Sequence, residues 1–147
     1  RNSDFTVSKA QRAPDVALPY ELRSREVTRV PWMNIDNIGP AGSINSSVND
    51  LSRWVRLQLA GGVFEGKRIL KAETLRETHT PHNIIRVDDP LSRAVNVGTN
   101  VITYGLGWTI QDYRGHHMVS HGGAIDGFRA QITLLPNEDF GIIVLSN

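Results

Sequence analysis

The chain has 147 residues, of which 39% are hydrophobic and 21% are charged, which is the composition of an ordinary globular protein. A formal net charge of +1 is too close to balance to indicate a nucleic acid or an anionic membrane surface as a partner. The absence of cysteine excludes disulfides and thiolate metal sites, and no apolar run reaches the roughly 20 residues of a membrane span.

Residues 1–45 mix charges with prolines such as Pro14, Pro19 and Pro31, and no helical or strand period is sustained. We interpret this stretch as irregular cover over a larger body, with one short strand over residues 26–30. Because the chain opens on Arg1 rather than methionine, we expect it to continue upstream.

A helical pair is predicted over residues 46–80. Ser47 can cap the first helix, with Asp50 three residues later, and Gly61-Gly62 ends it. The apolar residues at helical spacing are Leu51, Trp54, Val55 and Leu59. This spacing places Trp54 in the core rather than at a ligand. The second, shorter helix covers residues 71–78 and stops before Pro81.

Residues 81–103 lose periodicity and are predicted to be a loop. From Tyr104 the apolar residues recur every second position, which predicts a four-stranded antiparallel meander over residues 104–147. The last strand is nearly all apolar, so we expect both of its faces to be buried. The fold class is therefore α+β, an antiparallel sheet with packed helices, and residues 1–147 read as one incomplete domain.

The meander contains a segment that differs from an ordinary strand, His121-Gly122-Gly123-Ala124. An apolar run precedes the two glycines, and Gly127-Phe128 turns the chain into the next strand. Glycines at a strand end allow another molecule to approach the backbone closely. The segment is therefore predicted to be a strand edge that faces a ligand.

His121-Gly122-Gly123 resembles the third conserved box of the penicillin-recognising serine hydrolases. This superfamily includes class C β-lactamases, D-alanyl-D-alanine carboxypeptidases and related esterases, and its box varies among Lys-Thr-Gly, His-Thr-Gly and His-Gly-Gly. The order of the surrounding runs, over residues 39–47, 104–108 and 141–147, is also similar to the second half of that catalytic domain. The resemblance extends from about Pro40 to Asn147 and implies a β-lactamase/transpeptidase-like fold.

The resemblance implies roles for the residues of the box. His121 would hold the substrate carboxylate or handle protons, Gly122 and Gly123 would let the substrate lie along the strand, and the Ala124 N–H would form half of an oxyanion hole. Asn147 is implied as a substrate contact. Because imidazole is mostly neutral near pH 7, His121 favours esterase or peptidase action over efficient β-lactam hydrolysis.

The nucleophile of that superfamily lies in a Ser-x-x-Lys motif, and the sequence contains neither this motif nor Tyr-x-Asn. Ser43-Ile44-Asn45 fits Ser-x-Asn only as a string, and we interpret it as capping and turn chemistry. We expect the nucleophile outside this chain, in an N-terminal part of the same domain. The alternative is a non-catalytic binding module that retains the groove for cell-wall peptide.

Five histidines raise the possibility of a zinc site, but their spacing does not favour one. His116 and His117 are neighbours in a strand and point to opposite faces, while His79 and His82 have no third ligand at metal spacing. We therefore expect no metal and no cofactor. The expected partner is a small-molecule or peptide substrate, and the resemblance implies an exported protein.

Overall fold

The computed structural model describes residues 2–147. Within these residues the helices are α1 (Val7–Ala10), α2 (Gly39–Gly42), α3 (Val48–Leu59), α4 (Ala72–Thr78) and α5 (Pro90–Val95). The strands are β1 (Tyr20–Arg23), β2 (Glu26–Arg29), β3 (Val63–Phe64), β4 (Lys67–Arg68), β5 (Asn83–Ile85), β6 (Thr99–Tyr104), β7 (Thr109–Tyr113), β8 (His116–Ile125), β9 (Phe128–Leu135) and β10 (Phe140–Ser146). None of the helices in this described part is long and apolar enough to cross a bilayer.

Six strands form the main sheet in the order β10-β9-β8-β7-β6-β5, so every neighbour in space is also a neighbour in sequence. The pairs from β5 to β8 are antiparallel. The predicted α+β class is confirmed. The meander is larger than expected, because β5 and the start of β6 lie in the stretch that was predicted to be a loop.

The loop prediction for residues 81–103 is wrong for β5, α5 and most of β6. All three residues of β5 are exposed, so no alternation marks it as a strand. The short helix α5 starts with Pro90 after Asp89, whose carboxylate accepts a hydrogen bond from the Ser92 N–H at 2.9 Å. The Asp89-Pro90 pair was therefore a helix start rather than a loop signal.

The N-terminal stretch is more regular than predicted. β1 and β2 form a hairpin in which Leu22 pairs with Val27, and the expected strand near residue 26 is its second arm. Ser24 and Arg25 both have positive φ, as the two-residue turn of a hairpin requires. Nearly every residue of the hairpin is exposed, which removed the alternation that would have predicted β1.

Helix α3 begins where the sequence indicated. The Ser47 hydroxyl accepts a hydrogen bond from the Asp50 N–H at 3.3 Å, and Gly61 and Gly62 follow the helix with positive φ. The prediction that Trp54 is a core residue is wrong, since its side chain is 39% exposed. The buried arc is instead formed by Val55, Leu57 and Gln58.

The described chain divides into two compact units. The first contains the residues up to Ser52 together with Gly122–Gln131 and Ile143–Asn147. Its core includes Pro19 and Val30, and the Val30 N–H donates to the Pro19 carbonyl at 3.0 Å. The second contains Arg53–His121 and Ile132–Ile142, and its core is centred on the fully buried Val119 and Leu134.

Strand β10 is not buried on both faces, so that prediction is wrong. Phe140, Ile142 and Val144 alternate along it and are 49%, 45% and 54% exposed, and Leu145 is 37% exposed. β10 is the edge strand of the sheet order. Its continuous apolar composition is typical of an interior strand, but here one set of alternate side chains faces outward.

Candidate functional site

The glycine-containing segment lies within strand β8 rather than at its end. The glycines were predicted to lie at a strand end, whereas strand β8 continues to Ile125. His121, Gly122, Gly123 and Ala124 are all exposed. The pairing of β8 with β7 ends at Ser120, so the segment extends past β7 and presents exposed, extended backbone, as an edge that binds a ligand must.

His121 is hydrogen-bonded to a residue that sequence analysis did not identify as functional. In the second unit, its Nε2 lies 3.1 Å from the hydroxyl of Tyr104. Tyr104 ends strand β6, where the register pairs it with Thr109, and Thr109 pairs in turn with Ser120. This register brings the tyrosine close to the histidine. The contact can therefore be predicted only after the three strands have been aligned.

Gly122 and Gly123 border a groove in the first unit. Neither has a positive φ, so the backbone dihedrals do not require glycine here. A Cβ on Gly122 would lie 3.0 Å from the Gln131 Oε1, whereas one on Gly123 would make an ordinary 3.5 Å contact with the Ala130 Cβ. Glycine at position 122 therefore keeps space open in front of the strand.

We call the groove beside Gly122 and Gly123 the glycine groove. Its volume is about 380 Å³, and it is lined by Gly122, Gly123, Ala124, Arg129, Ala130, Gln131, Val144 and Ser146. Arg129 is the one ionised side chain in this set. Its Nη1 donates to the carbonyls of Phe128 at 2.8 Å and Ile125 at 3.2 Å. No local sequence pattern marks Arg129, because the geometry of the turn between β8 and β9 brings it to the groove.

A second hollow, the hairpin hollow, also lies within the first unit. Its volume is about 410 Å³, and it is lined by Tyr20, Glu21, Leu22, Asp126, Gly127, Phe128, Arg129, Ser146 and Asn147. Asn147 donates its side-chain N–H to the Leu18 carbonyl at 2.8 Å. This amide group is thus engaged by backbone, and substrate contact by Asn147 stays a prediction.

The histidines do not gather around a metal position. Among residues 2–147 no three side chains of the metal-binding types lie close enough to share an ion. His116 instead pairs with Glu138, Nδ1 to Oε1 at 2.6 Å, and His82 pairs with Glu77, Nε2 to Oε1 at 3.1 Å. Each of these imidazoles serves as a partner for a carboxylate.

His79 has a different environment. Its ring stands edge-on to Trp108, with 5.4 Å between the ring centroids. Its buried Nε2 has no hydrogen-bond partner among the described residues. Burial, and next the charge of His117, lower the pKa of His79 below its ordinary value. The neutral imidazole is therefore the form that this packing favours.

The family model described as Beta-lactamase matches residues 1–147. The chain is 29% identical over 127 residues to unguisins hydrolase ungD of Aspergillus violaceofuscus, covering 80% of the chain and 21% of that protein. It is 27% identical over 132 residues to protein flp of Staphylococcus aureus, covering 89% of the chain and 23% of flp. The chain thus spans about a fifth of the length of these relatives.

Two solved structures share the fold. The octameric penicillin-binding protein homologue from Pyrococcus abyssi matches with a TM-score of 0.77 and 21% identity, over 99% of this chain and 30% of that one. A class C β-lactamase matches with a TM-score of 0.60 and 20% identity, over 90% of this chain and 38% of that one. Because the family match covers every residue and the fold agrees, the chain belongs to the β-lactamase family.

Proposed function

We propose that the chain forms the substrate-facing part of a serine hydrolase that transfers an acyl group from an amide or an ester. The observation that carries this proposal is the exposed backbone of Gly122, Gly123 and Ala124 beside the glycine groove. An extended substrate can lie along such a strand, because the glycines add no side chain in its path. The name of one relative, unguisins hydrolase, supports hydrolytic chemistry in this family.

In the proposed reaction, a serine hydroxyl from outside these 147 residues attacks the substrate carbonyl. The serine proton passes to a base and then to the leaving amine or alcohol, which departs as the acyl–serine bond forms. Water then cleaves that bond and regenerates the serine. The backbone N–H of Ala124 would stabilise the negative charge that develops on the carbonyl oxygen in both steps.

His121 would handle protons in this scheme. It directly precedes Gly122 in strand β8, and its Nε2 already exchanges a hydrogen bond with the Tyr104 hydroxyl. Such a pair can accept or release a proton without a fixed positive charge. A lysine at this position would bind a substrate carboxylate more strongly, so His121 is better suited to proton transfer than to holding an acid group.

The experiment uses the full-length protein that contains this chain and, as a control, the 147-residue chain alone. Each is incubated with a p-nitrophenyl ester, a chromogenic cephalosporin and a serine-reactive phosphonate, and labelled peptides are identified by mass spectrometry. We expect the full-length protein to hydrolyse the ester and to carry the phosphonate on a serine outside these residues. We expect no turnover by the chain alone.

Two results would contradict the proposal. Turnover by the 147-residue chain that the phosphonate abolishes would place the nucleophile inside it. A full-length protein that is neither labelled nor active, yet binds cell-wall peptide, would be the non-catalytic binding module.

A further inference from the structure

We propose that Arg129 is a specificity-determining residue that binds a carboxylate of the substrate in the glycine groove. The inference deepens the proposed function and rests on it, because it assigns the substrate to the class of acyl compounds with a free acid group. It also assigns the charge recognition to a residue other than His121.

The guanidinium of Arg129 is held in place by the backbone. Nη1 donates to two carbonyls, those of Ile125 and Phe128, on either side of the turn between β8 and β9. These bonds orient the planar group and reduce the rotamer freedom that a ligand would otherwise have to restrict. The guanidinium has five N–H groups in a fork, so others stay available for a planar, bidentate acceptor such as a carboxylate.

The charge of Arg129 is not neutralised by a neighbouring acid. No carboxylate of residues 2–147 forms an ion pair with it, although Glu21 and Asp126 line the adjacent hairpin hollow. Glu21 pairs instead with Arg23, with oxygen–nitrogen distances of 2.9 and 3.0 Å. Arg129 therefore keeps its positive charge for a ligand.

The charged residues that line the two hollows differ, and this difference indicates where an anion binds. The seven other residues that line the glycine groove are uncharged, so Arg129 is the one charged side chain on its lining. The hairpin hollow adds the carboxylates of Glu21 and Asp126 to the same arginine. The charges on the two linings therefore favour an acid group in the groove over the hollow.

His121 is a weaker candidate for this task. Its Nε2 is already engaged by Tyr104, and an imidazole carries less positive charge near pH 7 than a guanidinium. In this assignment Arg129 binds the acid group of the substrate, and His121 keeps the proton-transfer role of the proposed function.

The test is a binding experiment that does not depend on turnover. The full-length protein, labelled with ¹⁵N at glycine and alanine, is titrated with succinic acid monoamide and, separately, with the uncharged diamide, and the amide signals of Gly122, Gly123 and Ala124 are followed by NMR. We expect the monoamide to bind at least about tenfold more tightly than the diamide, with shifts at these three residues. Arg129→Gln should remove this preference, and Arg129→Lys should retain part of it.

Arg76→Gln is the matched control, because it removes an exposed arginine of helix α4. It should leave both affinities unchanged, and thermal melts should show that each variant is folded. Equal affinities for the acid and the amide in the wild-type chain, or an unchanged preference in folded Arg129→Gln, would overturn the inference. Loss of the preference in both Arg129→Gln and Arg129→Lys would also overturn it, since the lysine keeps the charge.

Kinetics separate the failure of this inference from failure of the proposed function. In the full-length protein, Arg129→Gln should lower kcat/KM at least about tenfold for mono-p-nitrophenyl succinate and less than about twofold for p-nitrophenyl butyrate. An equal loss on both esters would overturn the role of Arg129 in specificity. Absence of ester hydrolysis in the wild type would contradict the proposed function, while the NMR titration still decides the carboxylate site.

Discussion

The Tyr104 hydroxyl lies 3.1 Å from the Nε2 of His121, with the two rings tilted at 56° to each other. His121 is exposed and Tyr104 is half-buried, so neither group has been withdrawn from water to form a core contact. A hydrogen bond of this kind orients an imidazole more than it stabilises a fold. The pair therefore ties the His121 ring to strand β6 within the second unit.

The first prediction concerns this pair. Tyr104→Phe removes the hydroxyl and keeps the ring, so we expect kcat/KM of the full-length protein to fall about 3–10-fold, while Tm changes by less than about 2 °C. His121→Ala should cost more, on the order of 2–3 kcal/mol in transition-state stabilisation. Ester kinetics and thermal melts on both variants measure these effects. A large fall in Tm with unchanged kinetics would make His121 a structural residue.

The second prediction uses two glycines with the same φ of +75°. Around Gly66 nothing lies within reach of an added Cβ, whereas at Gly127 it would approach the Pro19 Cβ at 2.5 Å and the Tyr20 nitrogen at 2.7 Å. Gly66→Ala should therefore lower the free energy of unfolding by about 1 kcal/mol, through dihedral strain alone. Gly127→Ala should cost more than about 2 kcal/mol, since it adds a clash with backbone.

Urea denaturation of the two variants measures both values. Equal losses would show that Pro19 and Tyr20 can shift away from the turn without cost, and would argue against a rigid contact there.

The third prediction is a dependence of stability on pH that originates from His79. Its pKa in the folded chain is lowered from the ordinary value of 6.5, first by burial and then by the charge of His117. The folded state thus binds its proton less readily than the unfolded state does. The contribution of His79 to stability is complete above pH 6.5 and is lost as the pH falls from there through the folded-state pKa.

We expect Tm to fall by several degrees between pH 7.5 and pH 5, and His79→Phe to reduce that fall. His82→Gln is the control, because His82 lies at the surface and pairs with Glu77. Calorimetry at several pH values measures the difference. A pH profile that is unchanged by His79→Phe would assign the effect to another group.

The fourth prediction follows from the exposed side chains of β10. Four exposed apolar residues on an edge strand present both a hydrophobic surface and unpaired backbone groups to other molecules. We expect the 147-residue chain to self-associate at high concentration. The double variant Ile142→Thr and Val144→Thr should reduce the association without loss of the strand, since threonine is also β-branched. Light scattering over a concentration series measures this, and a wild-type chain that stays monomeric would contradict it.

Local chemistry explains which elements could be predicted from the sequence. Helix α3 carries both a capping serine and a terminating glycine pair, so its bounds were readable, and strands β7 to β9 alternate clearly enough to be recognised. The exposed hairpin of β1 and β2 and the exposed strand β5 have no such contrast between faces. The prediction that Trp54 is buried was wrong because helical spacing identifies a stripe of candidate core residues but not the centre of the buried arc.

The candidate site, like the fold, could be predicted from the sequence only in part. The residues of the box could be proposed from their order along the chain, whereas their neighbours could not. Tyr104 approaches His121 only through the register of three strands, and Arg129 reaches the glycine groove only through the turn after Ile125. Contacts that depend on register and turn geometry are absent from any local pattern.

The hydrogen bond from Asn147 to the Leu18 carbonyl joins residues that are 129 positions apart, and the Tyr20 N–H also reaches the Gly127 carbonyl. The first compact unit is thus assembled from three separate stretches of chain. Closing such long loops is entropically costly and slow, so contacts of this kind form late in folding. During synthesis on the ribosome, the region around Pro19 therefore stays incompletely packed until strand β10 has emerged from the exit tunnel.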